Sequence, residues 1–360
     1  MKTVMLTTEN ALPPLAEELL PWYRANCREL PWRRTTDPYP IWVSEIMLQQ
    51  TRVAAVLGYY ARFLEAFPTV EALAAAPEEK LMKLWEGLGY YSRARNLQKA
   101  AKIVAAQGRF PDTYEGLLAL PGIGDYTASA IASAAFGRRE AAVDGNVLRV
   151  VMRLLDCHED IAEPKVKAAV RALVQERMPE KAEDIRIFNQ AMMELGATVC
   201  LPNGEPKCES CPLRALCLAE KRGTALELPV KKAKKARRVE EKTVYVLLRE
   251  GKVALRQRPE DGLLASLWEF PNVEGGLEEN RAADALKGWN LAALEWRGRL
   301  TAKHIFTHVE WHMTGYVLDV AGVGTVELLW AVRAGLESHA VPSAFGKFYE
   351  AALEALAKEE

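Results

Sequence analysis

Apolar residues recur at three- and four-residue spacing along the first part of the chain, which is typical of amphipathic helices. The pattern begins at 41–67 and continues, between short Gly or Pro breaks, through six further segments: 72–88, 92–106, 127–135, 147–155, 166–178 and 185–196. It then changes. Residues 243–258 predict two strands joined by a Glu-Gly turn, and residues 304–320 predict another strand pair. We therefore predict a multidomain fold, with an all-α domain followed by an α+β domain.

The length of the chain supports this division, because 360 residues exceed what one hydrophobic core usually serves. We place the helical domain at 1–222, a linker at 223–240 and the second domain at 241–360. The linker contains KKAKKARR (231–238), with six positive charges in eight residues. Such a run is either a solvated linker or a basic strap over phosphates, and the sequence leaves both readings open.

The formal net charge of −1 argues neither for nor against nucleic acid. Nowhere do eighteen apolar residues run together, so we expect no membrane span and no membrane partner. The N-terminus lacks the apolar core of a signal peptide. We therefore expect a cytoplasmic protein (nucleoid-associated if bacterial), in a reducing compartment where clustered cysteines bind metal rather than form disulfides.

Four of the six cysteines lie within eighteen residues: Cys200, Cys208, Cys211 and Cys217. The spacing contains one Cys-x2-Cys flanked by two single cysteines, whereas zinc sites usually pair two such knuckles. It therefore favours a [4Fe–4S] cluster, with zinc as the alternative. With no ligand position open, we expect a structural or redox role. The remaining Cys27 and Cys157 are predicted to be buried core thiols.

A glycine turn, LPGIG (120–124), separates two of the helical segments. Gly122 and Gly124 permit positive φ and let the backbone approach a partner closely. The amides of the following helix would then face a DNA phosphate. Without other evidence, a tight helix–helix turn that binds no ligand explains the same residues better.

Two carboxylates lie in contrasting local contexts. Glu45 shares a helix face with three apolar residues: Ile41, Trp42 and Leu48. Burial on that face would raise its pKa and suit a general acid. Asp144 precedes the helical segment 147–155, where helix amides favour a charged carboxylate. Environments that differ in this way indicate divided acid and base roles. The alternatives are that Asp144 only caps a helix, and that Glu45 faces solvent or pairs with Arg33.

Several motifs together carry a family resemblance. The turn LPGIG, the sequence VDGN (143–146) and the four-cysteine loop, in this order, resemble the helix–hairpin–helix DNA glycosylases with an iron–sulfur cluster. The stretch WVSEIMLQQT (42–51) and the later Phe-Thr-His narrow the resemblance to adenine DNA glycosylases of the MutY family. It covers essentially the whole chain. The chain departs from the family in having seven rather than six residues between its first two clustered cysteines, and Thr307 where members often have serine.

The resemblance implies base excision repair: a monomeric enzyme that removes adenine opposite 8-oxoguanine or guanine in double-stranded DNA. Glu45 would protonate the base, Asp144 would stabilise the cation-like sugar, and Tyr126 would place its hydroxyl in the same site. Endonuclease III-like relatives carry at this position a lysine that forms a Schiff base. Tyr126 therefore implies a monofunctional glycosylase, although it also suits a core tyrosine.

A target base must be flipped out of the duplex, and the gap must be held open. The resemblance implies that Tyr90 acts as a wedge beside the orphaned partner, while Tyr91 packs in the core. Arg93 and Arg95 are either phosphate contacts or solvated. The residues that we expect to bind DNA or the mispair are Trp32, Leu48, Gln50, Thr51, Tyr90, Gly122, Gly124, Phe306, Thr307 and His308.

The second domain resembles the Nudix-like domain with which the family reads 8-oxoguanine. Its stretch 275–288 lacks the acidic box of Nudix hydrolases, so we do not expect nucleotide hydrolysis. A regular strand would bury Thr307 among apolar neighbours. We therefore predict a loop or bulge between His304 and His308, which frees the Thr307 hydroxyl. Two rival functions remain, a bifunctional glycosylase/lyase for oxidised pyrimidines and a non-catalytic, redox-responsive DNA-binding protein.

Overall fold

The computed structural model describes residues 12–232 and 236–358. Part of the basic run in the linker, 233–235, lies outside the described residues. Residue contacts group the described chain into two compact units, one of 12–75 with 95–232 and the other of 76–94 with 236–358. The segment 76–94 thus groups with the second unit, whereas our sequence-based boundary assigned it to the helical domain.

The described residues before the gap form helices and no strand. In chain order the helices are α1 (Ala16–Asn26), α2 (Pro38–Leu48), α3 (Val53–Ala66), α4 (Val70–Ala74), α5 (Glu78–Trp85), α6 (Ser92–Gln107), α7 (Tyr114–Leu118), α8 (Asp125–Phe136), α9 (Gly145–Leu154), α10 (Pro164–Arg177), α11 (Ala182–Thr198) and α12 (Leu218–Arg222). The all-α prediction for this region is confirmed. Within the described residues, no helix is long and apolar enough to cross a membrane.

The stretch 41–67, whose apolar residues recur at helical spacing without interruption, forms two helices, α2 and α3, with a break between them. Asp37 caps the start of α2 by accepting a hydrogen bond from the Tyr39 amide at 2.9 Å. The helix ends at Leu48, and Gln50 adopts a positive φ of 58° that a right-handed helix cannot accommodate. Gln50 and Thr51 therefore lie in a turn.

The core of the first unit joins α1, α9, α10 and α11 through buried aliphatic side chains, with Phe188 of α11 fully buried. Three of the clustered cysteines pack against this core while remaining partly exposed: Cys200, Cys211 and Cys217. Cys157 is buried as predicted, whereas Cys27 is only partly buried. The cysteine loop is thus anchored on the same helices that carry the residues around Asp144.

The second unit contains a mixed sheet with helices on both faces. Its strands are β1 (Arg238–Arg249), β2 (Lys252–Gln257), β3 (Trp268–Glu269), β4 (Asn272–Glu274), β5 (Leu291–Ile305), β6 (Val309–Gly322) and β7 (Leu328–Ala331), and its later helices are α13 (Glu279–Leu286), α14 (Arg333–Ser338) and α15 (Gly346–Leu356). The central order is β3-β2-β1-β6-β5, with β1 and β6 parallel. The β1–β2 pair confirms the strand pair predicted at 243–258.

Successive side chains of β1 point to opposite faces of the sheet, and both faces are packed. Val244 joins the core beneath α15, and its neighbour Tyr245 joins the core beneath α13. Gly315 of β6 is needed for close packing, because a Cβ there would lie 2.1 Å from the Phe348 ring of α15. The sheet is therefore buried on two sides, as in an α/β/α sandwich.

The stretch predicted as a strand pair at 304–320 contains the end of β5, a turn and most of β6. β5 ends at Ile305 and β6 begins at Val309, which confirms the predicted interruption. The Phe306 amide donates to the Val309 carbonyl at 2.9 Å and closes the turn. The side chains of Thr307 and His308 are consequently exposed.

Candidate active site

A cavity of about 560 Å³ lies within the first unit. It is lined by side chains from the turn before α2, from α2 itself, from α8, from the start of α9 and from α11. The three predicted catalytic residues meet there: Glu45, Tyr126 and Asp144. The lining also contains four of the residues predicted to contact DNA or the mispair: Trp32, Leu48, Gln50 and Thr51. The structure thus brings these sequence-predicted residues together in one concave site.

Glu45 projects from the apolar face of α2 into the cavity. Burial, aided by the charge of Asp144, raises the pKa of Glu45 to about 7 against the lowering effects of the Tyr126 hydroxyl and Arg33. Its buried Oε2 atom has no hydrogen-bond partner among the described residues. A carboxyl group in this state retains a proton near neutral pH and can donate it.

Arg33 does not pair with Glu45, which removes one alternative from the sequence analysis. It donates instead to Glu194 Oε2 at 2.7 Å, while Arg28 forms a bidentate pair with the same carboxylate at 2.8 Å. Glu194 is fully buried. Burial alone would raise its pKa, but the two arginines outweigh burial and hold the pKa of Glu194 at about 2.

This ion-pair network was missed in the sequence analysis. Glu194 and Arg28 both line the cavity, so the network supplies fixed charge beside Glu45. The available signal was a single carboxylate among the apolar residues of α11, between Met193 and Leu195. Because burying an isolated charge is costly, such a residue predicts a paired partner.

Asp144 is the N-cap of α9. Its Oδ1 accepts hydrogen bonds from the Asn146 amide at 2.9 Å and the Val147 amide at 2.8 Å. Its Oδ2 accepts from the Asn146 side chain at 2.7 Å. Asp144 therefore does cap a helix, as the alternative interpretation held, but its side chain also lines the cavity. Three N–H donors hold a carboxylate in one orientation within the site.

Tyr126 lies in the first turn of α8, directly after the glycine turn. Its hydroxyl donates to the Met193 sulfur at 3.1 Å. Burial, followed by the charges of Glu45 and Asp144, raises the pKa of Tyr126 well above its usual value. The phenol therefore stays protonated at physiological pH and acts as a neutral hydrogen-bonding group beside the carboxylates.

The two glycines of the turn differ in backbone conformation and in the space around them. Gly122 has a positive φ of 78°, and a Cβ there would lie 2.7 Å from the Asn96 Cβ. Gly124 instead has extended backbone as the N-cap of α8, so the expected positive φ occurs only at Gly122. A Cβ on Gly124 would meet no atom within 4 Å. The space beside this helix N-terminus is thus open to a partner.

The cysteine loop brings its four sulfurs into one neighbourhood. Burial, aided by the charges of the other three clustered thiols, raises the pKa of Cys211 to about 12 against the lowering effect of a backbone hydrogen bond. Arg153 donates to the Cys200 sulfur at 3.2 Å. Among the described residues, no group of three or more His, Cys, Asp or Glu side chains is arranged to hold a single metal ion.

The remaining predicted recognition residues fall in the second unit. The Tyr90 side chain is 46% exposed, and its hydroxyl lies 3.0 Å from the Thr307 hydroxyl oxygen. Phe306 instead packs edge-on against Trp311, with ring centroids 4.8 Å apart. His308 is exposed in the turn. Tyr90 and Thr307 thus form one exposed polar pair.

Comparison with protein families assigns this site to a class. Residues 43–176 match the model of the HhH-GPD superfamily base excision DNA repair proteins, and residues 243–351 match the NUDIX domain. A solved structure described as a thermostable thymine-DNA glycosylase is similar, with a TM-score of 0.51 and 30% identity, over 57% of this chain and 95% of that one. The helical part is therefore a base-excision-repair glycosylase fold.

Curated relatives narrow the class. The human adenine DNA glycosylase is 36% identical, across 92% of this chain and 72% of the human protein. The Schizosaccharomyces pombe adenine DNA glycosylase is 30% identical, across 94% of this chain and 87% of the yeast protein. The chain belongs to the adenine DNA glycosylase family, which makes it a hydrolase of N-glycosyl bonds that acts on DNA. The family resemblance and the two-part fold class inferred from the sequence are both confirmed.

Proposed function

We propose that this glycosylase removes adenine opposite 8-oxoguanine or guanine in duplex DNA and leaves the abasic strand uncut. It acts as a monomer in the cytoplasm. The observation that carries the proposal is the pair of carboxyl groups in one cavity. Burial raises the pKa of Glu45 to about 7, and Asp144 is fixed by three N–H donors. Two carboxyl groups in such different environments suit an acid and a cation-stabilising partner.

In this mechanism Glu45 donates its proton to adenine, because an adenine anion is a poor leaving group. The sugar gains positive charge as the bond breaks, and Asp144 stabilises it electrostatically or by a transient covalent bond. Positioned acid catalysis contributes roughly 10²–10⁴-fold, so charge stabilisation at Asp144 supplies much of the remainder. The ion pairs of Glu194 with Arg28 and Arg33 fix these three side chains in the lining of the cavity beside Glu45.

Tyr126 supports the monofunctional assignment. A lyase needs an amine that can form a Schiff base with the sugar, whereas this position carries a phenol. The phenol donates to Met193 and interacts with Glu45, so it contributes to the proton donor's environment. Strand breaks should therefore require alkali or heat after base release.

One assay tests the whole assignment. The protein is incubated with duplexes that carry adenine opposite 8-oxoguanine, guanine or thymine, and with a thymine glycol duplex. Base release and strand cleavage are measured before and after alkali. Release from the 8-oxoguanine and guanine duplexes alone, with breaks only after alkali, supports the proposal. Borohydride trapping at the efficiency of a lyase, or release of thymine glycol, contradicts it.

Recognition of 8-oxoguanine is assigned to the Tyr90–Thr307 pair. The two side chains are exposed and hydrogen-bonded within the second unit, and Thr307 lies in the turn that interrupts the β5–β6 strand pair. The side chains that enter a base stack as wedges are usually apolar or aromatic, and Tyr90 provides an exposed aromatic ring. The Thr307 hydroxyl would then offer a hydrogen bond to the lesion.

We assign a [4Fe–4S] cluster to Cys200, Cys208, Cys211 and Cys217. The charges of the other three clustered thiols affect Cys211, so the sulfurs lie in one neighbourhood. Their spacing along the chain, one Cys-x2-Cys flanked by two single cysteines, suits a cubane cluster better than zinc. The cluster would tie the end of the helical domain together. Metal analysis of purified protein should find about four irons per chain. Stoichiometric zinc without iron contradicts the assignment.

A further inference from the structure

The loop between α5 and α6, residues 86–91, presents Tyr90 in an unusual backbone conformation. Gly87 and Gly89 have positive φ values of 94° and 69°, and Tyr90 itself has a φ of 48°. A bulky residue rarely adopts this region, and it persists there only when its surroundings impose it. Contacts within the second unit must therefore stabilise this loop conformation.

Arg93 makes the contacts that hold it. The side chain is 9% exposed, and its Nη2 donates to the carbonyls of Leu88 at 2.9 Å and Gly89 at 3.0 Å. The Arg93 amide donates to the Tyr90 carbonyl at 2.8 Å. Trp85 adds a hydrogen bond from its indole N–H to the Gly89 carbonyl at 3.1 Å.

The guanidinium also lies within cation–π distance of two rings. Its central carbon is 5.5 Å from the ring centroids of both Tyr90 and Trp85. Burial lowers the pKa of Arg93 to about 10, with Tyr90 opposing the shift, so the group stays charged at neutral pH. A buried charge is costly unless it is hydrogen-bonded, and loop carbonyls supply such bonds here. The cation and the loop conformation thus stabilise each other.

We propose that Arg93 is a positioning residue that holds Tyr90 ready to enter the base stack, and that it thereby supports discrimination of 8-oxoguanine from guanine. Neither role left open for Arg93 by the sequence, phosphate contact or solvated charge, fits a buried guanidinium that donates to carbonyls. The inference rests on the wedge role proposed for Tyr90.

A double-mutant cycle tests it. Adenine release under single turnover is measured on 8-oxoguanine and guanine mispairs for Arg93→Ala, Tyr90→Ala and the double variant. Fluorescence of 2-aminopurine placed next to 8-oxoguanine reports unstacking directly. We expect each single variant to lose about tenfold in preference, as for one lost aromatic stack, and the double variant to lose no more. Retained preference in Arg93→Ala, or losses that multiply in the double variant, overturns the inference.

A second variant guards against simple misfolding. Gly89→Ala strains the loop at φ 69° but adds a Cβ that meets no atom within 4 Å, so no buried contact is removed. Gly108→Ala is its matched control, with φ 67° and equally open space at the end of α6. We expect the first to lose preference and the 2-aminopurine signal, and the second to keep both. Equal losses in the two variants overturn the inference.

The outcome is separable from that of the proposed function. Failure of the unmodified chain to release adenine counts against the proposed function. If the unmodified chain releases adenine and Arg93→Ala gives the same 2-aminopurine fluorescence as the unmodified chain, only the positioning role of Arg93 is overturned. An unchanged preference in Tyr90→Ala removes the wedge and the inference together, and it leaves adenine release standing.

Discussion

The cavity that contains Glu45 and the exposed Tyr90–Thr307 pair differ in what sets the behaviour of their side chains. In the cavity, the Oε2 atom of Glu45 is buried and desolvation raises the pKa of this carboxyl group to about 7, so removal from water creates the acid. At the pair, both side chains are exposed, and the strained backbone of Tyr90 sets the geometry instead. Proton donation depends on the electrostatics of an enclosed site. Insertion into DNA depends on exposure, so order there must come from the supporting loop.

The substitution Glu45→Gln tests the enclosed site most directly and has the largest expected effect. The amide preserves the shape of the side chain but carries no transferable proton. We expect base release to fall by roughly 10²–10⁴-fold while binding to mispaired duplex stays near that of the wild type. Single-turnover release and a binding titration measure the two effects. A variant within a few-fold of wild-type release would show that Glu45 is not the acid.

Asp144→Asn tests the second carboxyl group. Asparagine is also a good N-cap, so the thermal stability of α9 and of the whole protein should change little. We expect release to fall by about 10²–10³-fold, because one charge no longer stabilises the developing sugar cation. Thermal unfolding is the control. A large loss of stability together with lost release would assign Asp144 a capping role only.

The pH dependence of release is the next largest effect. The pKa of Glu45 is raised to about 7, so the acid form is present below this value and is lost above it. We expect kcat/KM to fall about tenfold per pH unit on the alkaline side of neutrality. The protonated form also favours the folded state, a contribution that is complete below pH about 4.5 and disappears as pH rises through about 7. A rate that keeps rising above pH 8 would contradict the raised pKa.

These expectations show which parts of the site were predictable from the sequence. The environments of Glu45 and Asp144 follow from local rules, since a helix face and an N-cap are defined within a few residues. The ion pair between Arg28 and Glu194 joins residues 166 positions apart, and no local pattern specifies it. The turn at Gln50 was missed for a different reason. The helical spacing of apolar residues continues across it, although the φ angle of Gln50 is positive. Local chemistry was therefore predictable, and the long-range pairs that tune it were not.

The smallest predicted effect concerns Thr307, which sharpens the exposed side of the comparison. Deleting residues 241–360 is a poor test, because segment 76–94 packs in the same unit. There, for example, the Val341 amide donates to Glu86 at 2.9 Å. Thr307→Val instead removes one hydroxyl and keeps the branched shape. We expect preference for 8-oxoguanine over guanine to weaken by about one hydrogen bond, ~0.5–1.5 kcal/mol.

Thr307→Ser is the matched control, since serine retains the hydroxyl that lies 3.0 Å from the Tyr90 hydroxyl oxygen. Serine should therefore keep the preference, whereas valine also leaves Tyr90 without this neighbour. The ratio of release rates on the two mispairs measures both variants, and release from the guanine mispair should stay near that of the wild type because neither substitution touches the cavity. If valine and serine behave alike, the hydroxyl does not read the lesion. Discrimination would then rest on the Tyr90 ring and on the loop that Arg93 holds.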